Sequence, residues 1–478
     1  MSKIFQKKRG GILIQVIAFM AIGMMFLSGF IGWGIMSVRV ARHMVQREQA
    51  IDIAEAGIAY YRWHIAHAPT DFQDGTGVSG PYVHPFYDKS GVQLGTYSLD
   101  ITPPLLGSTL VTVTSTGTVL ADPSIHRTLQ AKFAKPSLAK YAIVSNSDVR
   151  FGSGTEIWGP VHSNGGINFN GLIHNIMTSA KTTYIDPDYG TNEWSVHTLL
   201  SPADPNPPTT LPSRPDVFMV GRQVGVPAVD FSGMTADLAQ IKVDAQAGGK
   251  YYAASGALGY HIVLKTNDTF DIYRVNTLIA PPNGNCKNWV PEDRWGIWSI
   301  NTQTLVGNYA IPANGLIFVE DNLWIDGQIN TARLTVASGR FPENPSTYTN
   351  IIVNNNLLYT NYDGQDVIAL MSQGDIGAGL RAASTERIDA ALIAQNGRVG
   401  MNFYYTSCGT TYSQKTIITL YGMMASNKRY GFQWGCGGSC WSGYWDRNII
   451  YDPNLIYSPP PSFPLTTSQY QILSWDEI

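Results

Sequence analysis

From Gly10 to Val38 the sequence carries no charged side chain, an uninterrupted run of 29 residues. At ~1.5 Å per residue, such a run coiled as a helix reaches roughly 43 Å, against ~30 Å for a bilayer's hydrocarbon core. It is bracketed by Lys7, Lys8 and Arg9 on one side and by Arg39 and Arg42 on the other. A removable secretory signal has an apolar stretch of only about 7–15 residues ahead of a small-x-small cleavage site. The length here, and the lack of such a site before a polar start, favour an anchor that stays in the membrane. Ser28, Gly32 and the nearby Gly23, Gly29 and Gly34 offer small-residue faces on which apolar helices pack closely.

Charge follows the same division. The formal total is −3, yet residues 1–47 hold +7 with no acid and the remainder holds −10. No basic surface is left to bind nucleic acid, and 14% charged residues with 11% aromatics exclude a disordered charged regulator. Basic residues flank both ends of the apolar run, so the positive-inside bias alone orients it weakly.

Helical periodicity continues beyond the apolar run through Val38, Ala41, Val45, Ile51, Ala54, Ile58 and Tyr61, and no proline intervenes before Pro69. One continuous helix is expected over 11–66, lipid-soluble in its first half and amphipathic in its second. The basic leader of residues 1–10, ending Lys7-Lys8-Arg9-Gly10-Gly11 before Ile12-Leu13-Ile14-Gln15-Val16, resembles those of type IV pilins and of type II secretion pseudopilins. Gln49-Ala50-Ile51-Asp52-Ile53-Ala54-Glu55-Ala56-Gly57-Ile58 is similar to the A-x-x-x-A-E-A-G segment of PilX-type minor pilins. The resemblance implies cleavage after Gly10, or after Gly11, by a membrane aspartyl prepilin peptidase that then methylates the new amine. It further implies an N-in topology in the bacterial inner membrane, an exported ectodomain, and partnership with other pilins or pseudopilins and their assembly machinery. Cleavage after Gly10 places Gln15 at the fifth mature position, where major pilins carry Glu. A carboxylate in lipid needs a partner charge, and an amide cannot neutralise one. Gln15 therefore points to a minor, tip-proximal subunit of the pseudopilin K type rather than a repeating shaft subunit.

Within 67–139, alternating stretches such as Gly95–Thr102, Thr109–Ser115 and Thr128–Phe133 predict a small β-meander on the second half of the helix. From 140 to 460 the chain is expected to form a right-handed parallel β-helix. Short apolar strands recur there, among them Val149–Gly152, Ile167–Gly171, Leu316–Val319, Val367–Met371 and Ala391–Ala394. Continuous runs such as Leu-Ile-Phe-Val suit parallel strands buried on both faces better than the one-sided strands of a sandwich. Turn landmarks at Asn355-Asn356, Gln373-Gly374 and Gln395-Asn396-Gly397 suggest asparagine corners in the left-handed region, stacked in ladders. Residues 176–305 read as an insertion containing a proline-rich linker and a helix from Ser232 to Ala247, and 461–478 as a tail. Gly159–Ile167, Asp321–Gly327 and Tyr451–Pro464 resemble segments of large PilX-type proteins of uncultured bacterial lineages, which couple a pilin-like helix to a β-helical ectodomain. The expected class is thus mainly β with a long N-terminal helix.

Four cysteines, Cys286, Cys408, Cys436 and Cys440, lie in the expected ectodomain. An oxidising compartment favours disulfides, and three pairings are formally possible; Cys436 and Cys440 could close a tight loop, leaving Cys286 for Cys408. A four-thiolate zinc site would need a second close pair. Around that loop Tyr430, Phe432, Trp434, Trp441, Tyr444 and Trp445 make either an adhesive platform for a glycan or surface, with Trp434, Trp441 and Trp445 its candidates, or a packed cap. A β-helical polysaccharide hydrolase or lyase would use paired carboxylates, for which Asp363, Asp366, Asp375 and Asp389 are candidates. Asp363-Gly364-Gln365-Asp366 is equally a plain turn, and His162 has no second ligand at metal spacing. No phosphate loop, nucleophile elbow or HExxH occurs. The expectation is a filament subunit without catalytic residues, cofactor or metal. An anchored carbohydrate-binding or carbohydrate-degrading surface protein is the alternative.

Overall fold

The computed structural model describes residues 11–282, 286, 298–435 and 441–478. The chain divides into two units. The first combines 1–103, 111–134 and 469–478; the second combines 104–110 and 135–468.

In the first unit, helix α1 runs unbroken from Gly11 to His67, 57 residues. Its buried positions are confined to the C-terminal part: Ala50, Ile53, Ala54, Gly57, Ile58, Tyr61 and Ile65. Steps of three and four residues place them in one stripe. The stripe lies on an antiparallel sheet ordered Tyr82–Tyr87, Gln93–Thr102, Val111–Val119, His126–Ala134 and Gln471–Glu477. Burial alternates strictly along Val111–Val119, so Val111, Val113, Ser115, Gly117 and Val119 face the helix. Leu99, Leu129, Ala131 and Phe133 complete that core.

Two sequence-based boundaries change here. The closing residues are no tail: Gln471–Glu477 is the fifth strand, antiparallel to His126–Ala134. Its alternation is hard to see in sequence because Ile472 and Trp475 are both partly exposed. Residues 104–110, placed by sequence inside the small β domain, belong to the second unit, where Thr109 donates to the Lys135 carbonyl.

The second unit is a mostly β body built on parallel pairings. One ladder runs Lys250–Tyr252, Leu316–Val319, Arg333–Ser338, Val367–Ser372, Thr385–Ala394, Gln414–Ser426, Ile143–Ser145, Val161–Ser163, Met177–Ser179, Arg222–Val224, each strand parallel to the next. Registers align like side chains into columns. Ile317, Val336, Leu370, Leu392, Met424, Ile143, Val161 and Met177 form an inward apolar column. The neighbouring outward column, Phe318, Ala337, Met371, Ile393, Ala425 and Val144, is apolar as well. It is covered by Phe231 and by helix α2, Gly233–Gly248, through Met234, Leu238, Ile241 and Ala245. A second set of parallel strands, among them Leu323–Gln328, Ile351–Ile352, Ile376–Ala378 and Val399–Met401, turns its own apolar residues into the same core.

The next inward column is polar. Ser338, Ser372, Ser426, Ser145, Ser163 and Ser179 are all buried, and the column is broken by Ala394. Each hydroxyl donates to a backbone carbonyl at a corner: Ser145 and Ser426 to the one that follows them, the others to the corner after the preceding strand of the ladder, for instance Ser163 to Ser147 at 2.8 Å and Ser179 to Gly165 at 2.7 Å. Ser163 also accepts the Gly165 amide. Corners buried against a stack cannot use water, so these side chains satisfy groups the turn would otherwise strand.

Chain order and ladder order differ, and this replaces the reading of 176–305 as an insertion. The chain enters the ladder at Ile143, proceeds to one end at Arg222–Val224, crosses by way of α2 to the other end at Lys250–Tyr252, and returns. The circuit closes where Met424–Ser426 pairs with Ile143–Ser145. Excursions within the supposed insertion are limited, the largest being the antiparallel set Gly259–Leu264, Thr269–Leu278 and Ile300–Ala310. The asparagine corners also differ from expectation. Among the described residues no asparagine has a positive φ. They do form a ladder by amide contacts: Asn164 Nδ2 donates to Asn146, Asn146 Nδ2 to Asn427, and Asn427 Nδ2 to the Gln395 carbonyl.

Urea unfolding of the full chain in detergent should rank three truncations. Leu370→Ala in the inward column should cost about 2–5 kcal/mol. Ser163→Ala, which strands corner groups, should cost about 1–3 kcal/mol, and Asn146→Ala at an exposed corner only about 0.5–1.5 kcal/mol.

Candidate membrane helix and surface sites

Helix α1 presents two chemically different halves. Ile12, Phe19, Met25, Phe30 and Trp33 are exposed, and among the described residues α1 is the one helix long and apolar enough to cross a membrane. Gly11 opens the helix and Gln15 projects from its exposed first turns. Gly10 lies outside the described residues. The pilin-like signature falls in the other half, and its small residues have a steric reason. A methyl group on Gly57 would collide with Ser115 Oγ and Tyr97, and one on Gly117 would collide with the backbone of Ala50 and Ala54. Ala50, Ala54 and Gly57 are therefore the side of the signature that meets the sheet, whereas Asp52 and Glu55 point outward. Beside strand Gln471–Glu477 this outer side forms a groove of about 600 Å³ lined by Asp52, Glu55, Ala59, Arg62, Ile472 and Trp475. The helix end is fixed by the loop after it: His64 Nε2 meets Asp71 at 3.1 Å and His84 Nε2 meets Asp74 at 2.6 Å.

The cysteines and aromatics of the second unit separate into distinct roles. Cys286 and Cys408 are joined by a disulfide. Cys436 and Cys440, and the residues between them, lie outside the described residues. The six aromatics do not form one platform. Phe432 and Tyr444 are buried, and Tyr430 packs on Phe151 with ring centroids 5.3 Å apart. Trp434 donates Nε1 to the Met401 carbonyl at 2.6 Å and lies 5.4 Å from the Arg398 guanidinium. Trp441 and Trp445 form a surface pair 5.2 Å apart, with Trp445 57% exposed.

The structure does not present the four aspartates as a catalytic set. Asp363 accepts the Gln365 amide at 3.0 Å in an exposed turn. Asp366 is buried and accepts the amides of Ala332, Thr360 and Asn361. Asp375 accepts from Arg398 N at 2.7 Å. Asp389 is held by Tyr359 N, the Tyr362 hydroxyl and Arg387 Nε. Each satisfies a turn or a rung. His162 is likewise consumed: Nδ1 meets Thr178 Oγ1 at 2.9 Å, Nε2 meets Asn164 Oδ1 at 3.0 Å, and burial pushes its pKa down. Among the described residues no cluster of three or more His, Cys, Asp or Glu could hold a metal.

Sequence reasoning passed over a buried charged cluster. Glu386 bonds to the Tyr444 hydroxyl, and its other carboxyl oxygen has no partner. Lys415 donates to the Ala382 carbonyl at 2.6 Å. Burial pushes Glu386 up to about 8, and burial pushes Lys415 down to about 8, aided by Arg381 and opposed by Glu386. The signal was parity: Glu386 shares the inward side of its strand with Ile388 and Ala390.

No family model matches the sequence, and no curated protein matches it. Among solved structures the chain is similar to the competence-associated pilin ComZ from Thermus thermophilus, at 14% identity and a TM-score of 0.31, over 91% of this chain and 98% of that one.

Two outcomes follow from this geometry. Gly57→Leu should destabilise the first unit by several kcal/mol, about 1–3 or more for overpacking, whereas Ala59→Leu on the outer side should be tolerated; limited proteolysis of the first unit reads the difference. Folded Glu386 keeps its proton up to about pH 8, whereas an unfolded glutamate releases it near 4.5. Its contribution to stability is therefore full below pH 4.5 and is lost as pH rises towards 8. Glu386→Gln should flatten that part of a melting-temperature-against-pH profile.

Proposed function

We propose that the chain is a minor pilin-like subunit of a type IV pilus or of a type II secretion-type filament. The observation that carries this is the unbroken helix α1, whose apolar half is exposed while its second half is seated on a small antiparallel sheet. An ordinary anchor ends at a linker; this one continues into its domain. Lipid holds the apolar half by partition, at about 25 cal/mol per Å² of apolar surface, until assembly machinery draws it into a bundle of like helices. The leader Lys7-Lys8-Arg9-Gly10-Gly11 supplies the cleavage site, and Gln15 at the fifth mature position supports a subunit with no charge to neutralise.

In this reading the second unit is a right-handed parallel β-helix displayed outside the inner membrane for adhesion or assembly. The parallel registers, shared inward columns and corner serines support it. No catalytic role is assigned: the aspartates that would carry glycoside chemistry are engaged by their own turns and rungs.

Sequencing the mature N-terminus, after expression in a bacterium with a prepilin peptidase, tests the reading. A methylated start at Gly11, or at Ile12 for cleavage after Gly11, is expected. An intact Met1 start would overturn processing and leave a permanently anchored surface protein.

A further inference from the structure

The second unit contains a cavity of about 390 Å³ between the antiparallel excursion and the second set of parallel strands. Its apolar floor comes from the half-buried Ile279 and Ile300; Trp324 and Ile352, on which Ile300 packs, are buried beneath it. Trp324 is held in place by donating Nε1 to the Trp298 carbonyl at 3.1 Å. Polar groups of mixed donor and acceptor character ring this floor. His261 Nδ1 meets Gln303 Oε1 at 2.8 Å, and His261 Nε2 meets Asp326 Oδ2 at 3.2 Å. Asn355 Nδ2 donates to that same Asp326 oxygen at 3.1 Å. The wall is pre-organised by its own contacts, so a ligand would meet it with little reorganisation.

Arg381 lines the same cavity, and among the described residues its charge is uncompensated. Its guanidinium lies 4.5 Å from the Tyr412 ring, and its one hydrogen bond to a side chain is to the Tyr412 hydroxyl at 3.4 Å. Its Nε is buried without a partner, and no carboxylate pairs with it among the described residues. Asp326, the acid of the cavity, is already engaged by His261 and Asn355. A cation left open in this way favours an incoming carboxylate, which a guanidinium binds through two parallel bonds.

We infer that this cavity is a binding subsite for an acidic sugar unit. An apolar floor of Ile279 and Ile300 suits the C–H face of a pyranose. The amides of Gln303 and Asn355, with Asp326 and His261, suit its hydroxyls, which need donors and acceptors at fixed directions. Arg381 takes the carboxylate. The volume, within the ~300–1,000 Å³ usual for small-ligand sites, accommodates one or two sugar units rather than a long stretch of chain. No bond is made or broken, because no acid in the cavity is free to act on a glycosidic oxygen. The inference does not depend on filament assembly: a permanently anchored ectodomain would carry the same subsite.

The test uses the full chain in detergent micelles and calorimetric titration with trigalacturonate, a hyaluronan tetrasaccharide and sialyllactose, alongside lactose and tetraglutamate. At least one acidic saccharide should bind, more weakly as salt is raised, with lactose and tetraglutamate far weaker. Arg381→Gln should weaken that binding at least roughly tenfold. Gln303→Ala, on an exposed strand where folding is insensitive, should weaken it about three- to tenfold. Melting curves of each variant check the fold. Absence of binding by all three acidic saccharides, equal binding of lactose, equal binding of tetraglutamate, or acidic binding indifferent to both substitutions would each overturn the inference. An unprocessed N-terminus would leave it standing, so the two readings fail separately.

Discussion

The body of the protein depends on parallel strands being dry on both faces. A strand with one wet side could face its polar residues outward; here Leu370 and Met371 are neighbours in sequence, on opposite faces, and both are buried. The inward column needs the core of the second unit, and the outward column needs a cover, which α2 supplies together with Leu138, Leu455 and Phe463. Burying both faces leaves the corners as the remaining problem, because a turn carries amides and carbonyls that a strand ladder does not pair. The column of serines answers it with the smallest side chain able both to donate and to accept.

The first unit solves a different problem with small residues. One helix is exposed and apolar at one end and close-packed on a sheet at the other. Close packing requires that the helix and the strand Val111–Val119 approach almost backbone to backbone, which Ala50, Ala54, Gly57 and Gly117 permit. The resemblance of Gln49–Ile58 to a pilin signature is thus understandable without reference to partners: half of the pattern is the imprint of the sheet.

Much of the architecture was readable from sequence because it is written in local patterns. The long helix follows from an apolar run, a 3.6-residue period and the absence of proline. Strands such as Leu316–Val319 and Val367–Ser372 follow from short apolar runs between turn residues. What was not readable is non-local. Nothing near Met424 announces that its parallel neighbour is Ile143, and so the crossing through α2 looked like an insertion. The short strands at 177–179 and 222–224 are too brief to announce themselves. Glu386 shows a third kind of loss, in which an ionisable group at an inward position is kept protonated by burial and bonded by Tyr444, which another strand brings to it. The cavity at Trp324 is of the same kind: its groups come from strands far apart in sequence, and only the fold assembles them.

The strand Gln471–Glu477 has a temporal consequence. Its partner, His126–Ala134, is made early, yet the pairing becomes available only once the whole second unit has left the ribosome. Chains generally fold from the N-terminal end as they emerge, so the small sheet must wait with an open edge throughout. An open edge is a template for other chains. A truncated or prematurely released molecule would keep that edge permanently. The last strand therefore acts as a mark of completion: the helix-bearing unit is finished only in molecules whose large domain has been fully delivered.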